Sequence, residues 1–305
     1  MSDRFWSRRD LIKVAAAVGL APTASVVGDE VMRTRSIPVS DEPLPVIGLG
    51  TYNVFDVQGT PAEIAERREI LDLFTTKGAS LIDSSPMYNR SEKIIGDVLR
   101  ASRNREQLFI ATKVWIDGKE AGEGQMQQSA DLMNAGTIDL MQVHNLRDLD
   151  VQMATIRDWQ AEKRIRYNGV THYRASALDD LEAVMRSQKP EFIQINYSLG
   201  EREADQRVLP LALDLGIAVL INRPYMTGRL FRAVSGQDLP DWASEFAGSW
   251  GQFFLKYIVS HPAATCVIPA TSKPHHMADN LEAGFGPLPD ESTRRKMVEL
   301  IDRLS

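Results

Sequence analysis

From residue 44 onward the chain alternates between two periodicities: a short apolar run, a turn, then a segment whose apolar residues recur at helical spacing. Eight apolar runs fit strands: "PVIGLG" (45–50), "SLIDSS" (80–85), "LFIATKV" (108–114), "IDLMQVH" (138–144), "YNGVTHY" (167–173), "FIQINYS" (192–198), "AVLINRP" (218–224) and "CVIPAT" (266–271). The segments between them predict helices near 61–77, 91–101, 151–163, 176–187, 203–215 and 244–260, a short one at 274–283 and a last one at 290–303. Residues 119–136, rich in Gly and Gln and poor in large apolar side chains, are expected to be partly irregular. Strands that alternate with helices pair in parallel through right-handed crossovers. Eight such units in about 260 residues predict a (β/α)8 TIM barrel, whose usual size is about 250 residues. The rival is an open doubly wound sheet. It is disfavoured because "GLGTYN" after the first strand lacks the third glycine of a dinucleotide fingerprint, and no helix follows directly.

The 305 residues have a net charge of −6 and no basic block, which argues against a nucleic-acid partner and against attraction to an anionic membrane surface. The single cysteine, Cys266, lies in an apolar run and reads as a core residue. No Cys/His cluster of metal-binding spacing occurs, so no metal is expected. The first residues form a separate object. "SRRDLIK" (7–13) is followed by "VAAAVGLAPTASVVG" (14–28): a charged start, an apolar run too short for an ordinary membrane span, then small residues. With Arg8 and Arg9 paired, this resembles a twin-arginine export signal. The expected division is therefore a signal segment at 1–28, a lead-in at 29–43 and the barrel at 44–305. The export machinery becomes an expected partner and the periplasm the expected location, or the cytoplasm if the signal is inefficient. No stable membrane span is expected, and the oligomeric state is left open.

In a barrel of this kind, chemistry collects at the C-terminal ends of the strands. The second strand ends at Asp83 and leads to Tyr88, the third ends near Lys113, and the fourth ends at His144. Each has a structural reading when taken alone: an Asp capping a turn, a snorkelling Lys, a His satisfied in a core. Together, at one mouth, they compose an acid site. A free phenol titrates near pH 10, and a lysine ammonium beside it favours the phenolate and pulls that value down. An aspartate holds the lysine, and a histidine can orient a substrate oxygen. Such a site suits protonation of a carbonyl oxygen as its carbon gains a hydride, and a positioned acid typically contributes about 10² to 10⁴ in rate.

The stretches "GLGTY", "LIDSSPMYN" with "SEKIIGDVL", "LFIATKVW", "IDLMQVHN", "IRYNGVTHY" and "VIPATSKPHHMADNLEA" resemble the aldo/keto reductase family, in the family's order, over residues 44 to about 285. The resemblance implies a TIM barrel that binds NADP(H) and reduces aldehydes or ketones. It makes Asp83, Tyr88, Lys113 and His144 the catalytic tetrad, with Tyr88 as proton donor. Gln194 matches the glutamine that holds the nicotinamide carboxamide, and Thr51 and Tyr52 match cofactor contacts after the first strand. Ser272, Lys273, His276 and Asn280 lie where the family holds the adenosine phosphate and adenine, at a helix N-terminus suited to phosphate.

Three positions depart from the family's pattern. Thr171 and His172 stand where Ser-Asn is usual. Asn222 stands where many members stack an aromatic ring on the nicotinamide, with Arg223 beside it placed to reach the pyrophosphate. Ala270 and His276 replace a basic pair for the 2′-phosphate, so NADP(H) is favoured over NAD(H) by a reduced set of contacts. Tyr52, Trp115 and Tyr225 are expected to line an apolar pocket for a small carbonyl substrate. The other reading from the same residues is an exported nucleotide-binding or sensor protein of this fold with little or no turnover.

Overall fold

The computed structural model describes residues 31–100 and 105–304; the export signal expected at 1–28, with Arg8 and Arg9, lies outside the described residues. Eight parallel strands run in sequence order around the sheet: β1 (Leu49–Gly50), β2 (Leu81–Asp83), β3 (Phe109–Val114), β4 (Ile138–His144), β5 (Ile165–His172), β6 (Phe192–Asn196), β7 (Ala218–Asn222) and β8 (Cys266–Val267). Parallel bridges Ile47–Val267 and Gly50–Ala270 join the chain at β1 to the chain at β8, which nearly closes the ring. A Cβ on Gly50 would lie 2.8 Å from the Ile268 carbonyl oxygen, so a residue without one is needed for β1 and β8 to approach. The (β/α)8 barrel expected from the periodicity is what the chain forms.

The helices are α1 (Pro61–Thr76), α2 (Ser91–Arg100), α3 (Lys119–Met133), α4 (Leu149–Ala161), α5 (Leu178–Gln188), α6 (Val208–Leu215), α7 (Arg229–Ala233), α8 (Trp250–Val259), α9 (Pro274–Glu282) and α10 (Glu291–Leu304). Local chemistry sets several of their ends. Thr60 and Glu63 form a reciprocal capping box at α1 with Pro61 in the first turn. Ser249 Oγ accepts from the Gln252 N–H at 3.0 Å and starts α8, six residues later than the sequence pattern suggested.

The irregularity expected at 119–136 is not found, because α3 is continuous over Lys119–Met133. Its shortage of large side chains has a packing cause. A Cβ on Gly122 would come within 2.2 Å of Gln152 Oε1, so the glycine lets Gln152 of α4 cross close to the helix. Gln152 Nε2 donates to the carbonyls of Ile116 and Gly118 just ahead of α3. The short helix α7, between β7 and α8, was not anticipated.

Period-two alternation along the strands sorts the barrel into layers. Leu81, Phe109, Leu140, Tyr167, Phe192, Ala218, Leu220, Cys266 and Ile268 form one apolar cluster inside it. Ile37 and Leu44 join that cluster from an antiparallel ribbon, Thr34–Ser36 with Pro43–Pro45, which plugs the N-terminal end. Ile82, Ile110, Met141, Val170, Ile193 and Val219 belong to the larger core under the helices. One inward step beyond the apolar cluster comes a polar layer of Asp83, Lys113, Gln142, Thr171 and Gln194, with Lys113 in register with Gln142 and Thr171 with Gln194. Among the described residues no helix is long and apolar enough to cross a membrane.

Candidate active site

Asp83 is the last residue of β2, two positions after the inward Leu81, so its carboxylate also turns inward. Lys113 Nζ donates to Asp83 Oδ2 at 2.6 Å and to the Ser84 carbonyl at 2.6 Å. The lysine is 0% exposed and the aspartate 2%, so this is an ion pair without solvent. The other carboxylate oxygen, Oδ1, accepts from Gln142 Nε2 at 3.1 Å and Gln194 Nε2 at 2.8 Å. A buried pair is tolerable only when its remaining lone pairs are filled, and here both oxygens are. Gln142 was not singled out in the sequence. Its signal was there: it lies two residues before His144 on β4 and therefore faces the same way.

Tyr88 sits on the loop after β2, half-buried, with the Lys113 ammonium 5.1 Å from its ring centroid. The Tyr52 ring stands edge-on to it at 5.0 Å and the His144 ring at 6.2 Å. The four sequence-predicted tetrad residues are thus gathered at one place. Their electrostatics differ from expectation in one respect. Burial raises the Tyr88 pKa above its ordinary value, with Lys113 pulling against it and Asp83 adding to it. The ammonium's field is partly cancelled by the carboxylate that anchors it, so it does not overcome burial. Burial also opposes the charge on Lys113, but Asp83 and Tyr88 beside it raise its pKa, and it stays an ammonium. The resting pair is therefore a neutral phenol beside a charged lysine, which leaves the phenolic proton to be donated.

His144 ends β4, half-buried, with Nδ1 3.1 Å from Ser85 Oγ. Burial, followed by the nearby charges of Lys113 and His172, holds its pKa down at about 3. The imidazole is neutral at physiological pH. In the unfolded chain the same group takes a proton near pH 6.5, so the folded state loses stability as pH falls from 6.5 toward 3, by up to about 1.4 kcal/mol per pH unit. Urea denaturation at about pH 7.5 and about pH 5 should show a larger drop for the parent than for His144→Gln. Equal drops would assign the acid sensitivity to other groups.

Around the mouth, Tyr52 is 56% exposed and Met87 42%, which leaves an open apolar rim beside Tyr88. Trp115, after β3, carries the Arg147 guanidinium 4.4 Å above its ring, and Arg147 forks onto Asp117 at 2.8 and 2.7 Å. Tyr225 is placed differently. Its ring packs 4.8 Å from Phe231, and its hydroxyl donates to Asn280 Oδ1 of α9 at 2.5 Å. Tyr225 is thus packed among Phe231 of α7, Phe254 of α8 and Asn280 of α9.

The chain matches the Aldo/keto reductase family over residues 46–297. It belongs to that family. It is 27% identical over 221 residues to aldo-keto reductase YhdN of Bacillus subtilis (strain 168), an alignment spanning 66% of this chain and 66%, just under two thirds, of that protein. It is 23% identical over 276 residues to aldo-keto reductase str7 of Strobilurus tenacellus, covering 77% of this chain and 81% of that one. An aldo-keto reductase from Klebsiella pneumoniae, solved in complex with NADPH, has the same fold at a TM-score of 0.76 and 22% identity, covering 89% of this chain and 95% of that one.

The positions that the aldo/keto reductase pattern assigns to cofactor divide into engaged and open groups. Thr51 is buried, and its hydroxyl is held by the Asp83 carbonyl and Ser84 Oγ, both at 3.0 Å. Thr171 Oγ1 donates to Gln194 Oε1 at 3.2 Å, so the Gln194 amide is used at both ends. His172 Nδ1 accepts from the Arg174 N–H at 3.2 Å, and its ring stacks on Tyr173. Asn222 Oδ1 is buried without a partner. Arg223 follows it in the left-handed region at φ 50°, with its guanidinium on Thr227 Oγ1 at 3.0 Å. Ser272 precedes α9, whose N-terminus has no side-chain cap, and Lys273 Nζ lies 3.0 Å from Glu66. His276 meets His275 edge-on at 4.2 Å, and Asn280 is buried under the Tyr225 hydroxyl.

Proposed function

We propose that this barrel mouth reduces an aldehyde or ketone with NADPH as hydride source and Tyr88 as the general acid. Family membership supplies the coarser statement, that the chain is an NAD(P)H-dependent oxidoreductase. The observation that carries the finer one is the buried Asp83–Lys113 pair set against a neutral Tyr88 phenol, with a neutral His144 alongside.

NADPH, when bound, supplies the hydride that adds to the carbonyl carbon. As the carbonyl oxygen gains negative charge, Tyr88 gives it a proton; an alkoxide is a stronger base than a phenolate, so the transfer runs downhill even from a phenol whose pKa is raised. Lys113 stabilises the phenolate left behind, and Asp83 fixes Lys113, itself held by Gln142 and Gln194. His144, being uncharged, adds a hydrogen bond to the same oxygen without competing for the proton.

The residues fit a nucleotide in two respects. The orphaned Asn222 Oδ1 would accept a carboxamide N–H, and the uncapped first turn of α9 with Ser272 and Lys273 would take a phosphate. Arg223 would add charge at the pyrophosphate. Binding of NADP(H) is supported by two structures of aldo/keto reductase from Klebsiella pneumoniae, solved with NADPH and with NADP. Export of the folded barrel by the twin-arginine route rests on Arg8 and Arg9 in the sequence.

Titrating the protein with NADPH and with NADH by fluorescence quenching, then following NADPH consumption on a panel of aldehydes and ketones, tests the reading. Tight nucleotide binding with no turnover on any carbonyl would replace it with a nucleotide-binding role.

A further inference from the structure

We propose that Ser85 is a positioning residue that fixes His144 in its Nε2–H tautomer, so that the imidazole presents a donor to the substrate oxygen. Its effect on rate rests on the reading of His144 given above; the tautomer itself does not. Ser85 is 0% exposed and lies two residues after Asp83, on the loop that carries Tyr88. Its Oγ accepts from the Met87 N–H at 3.2 Å and sits 3.1 Å from His144 Nδ1. These are the two partners of that oxygen among the described residues.

A hydroxyl has one proton to give and two lone pairs to fill, and a neutral imidazole has one N–H and one bare nitrogen. Suppose Nδ1 carried the imidazole proton. Both it and the Met87 N–H would then point at Oγ, and the Ser85 proton would have no acceptor in a site without solvent. Suppose instead that Nδ1 is bare. The Ser85 O–H donates to Nδ1, the Met87 N–H donates to Oγ, and every group is paired. A buried donor left unpaired is the costly outcome, so the second arrangement is selected. His144 is neutral because it is buried beside Lys113, so its single proton must then be on Nε2. That nitrogen has no hydrogen-bond partner among the described residues. A donor there strengthens as the carbonyl oxygen becomes an oxyanion, whereas a bare nitrogen would repel it.

The test begins with the parent protein and no variant that might fail to fold. A two-bond proton–nitrogen correlation spectrum of uniformly 15N-labelled protein, with His144 assigned by its loss in His144→Gln among five histidines, reads the tautomer directly. The expected result is a bare, pyridine-type Nδ1 and a protonated, pyrrole-type Nε2; a dominant Nδ1–H form would overturn the proposal. In Ser85→Ala, both nitrogens should shift toward intermediate values and kcat on a carbonyl substrate should fall by about 10-fold, with nucleotide affinity unchanged. Ser85→Thr, which keeps the hydroxyl, should restore the parent pattern and most of the rate. A Ser85→Ala variant whose nitrogen pattern stays that of the parent would also overturn the proposal, whatever its rate. A parent with the Nε2–H form but no carbonyl turnover would support the tautomer and sink the carbonyl reading, so the two failures are distinguishable.

Discussion

Tyr88→Phe is expected to lower kcat by about 10² to 10⁴, the range for loss of a positioned general acid, while NADPH binds with unchanged affinity. The substitution removes one oxygen from a half-buried ring and keeps its edge contacts with Tyr52 and His144, so the mouth should hold its shape. What disappears is the proton that the phenol retains at rest and the oxygen that Lys113 stabilises afterwards. Steady-state kinetics beside a nucleotide titration separate these effects. A variant as active as the parent would remove Tyr88 from the chemistry.

The largest stability effect is expected at the ion pair beneath it. Asp83→Leu leaves the Lys113 ammonium, 0% exposed, without its counter-charge, and leaves Gln142 and Gln194 without their shared acceptor. Removing one partner of a buried pair typically costs about 3–5 kcal/mol. The double variant Asp83→Leu with Lys113→Met has no stranded charge and should recover most of that loss, while remaining inactive. Urea denaturation of the two variants measures the difference. A single variant as stable as the parent would mean that the pair is better solvated than its burial indicates.

The fold was legible because the strands are short, apolar and evenly spaced. β4 runs over the same residues that the apolar run "IDLMQVH" marked, Ile138–His144. The clustering of Asp83, Tyr88, Lys113 and His144 was legible for a related reason: a titratable residue at the end of an apolar strand is unusual, and three adjacent strands each supply or lead to one. What could not be read is where side chains from distant strands meet. Gln142 and Gln194 converge on one Asp83 oxygen because β4, β6 and β2 curve round the same interior, which no local pattern encodes. The contacts of Tyr225 with Asn280, Phe231 and Phe254 likewise join elements that no local pattern links. The helix α3 looked irregular because its close contact with Gln152 requires a glycine, a residue that lowers helix propensity. The balance at Tyr88 was misjudged because burial depends on the closed barrel, whereas the charge of Lys113 is visible in the sequence.

One measurement bears most directly on the central claim. NADPH deuterated at the transferable position, mixed with the protein and a carbonyl in a single turnover, should yield an alcohol carrying one deuterium on the former carbonyl carbon, detected by mass spectrometry. Tyr88→Phe under the same conditions should form that product about 10² to 10⁴ times more slowly. Bound NADPH that keeps its deuterium in the presence of every carbonyl tried would contradict a reductase at this mouth.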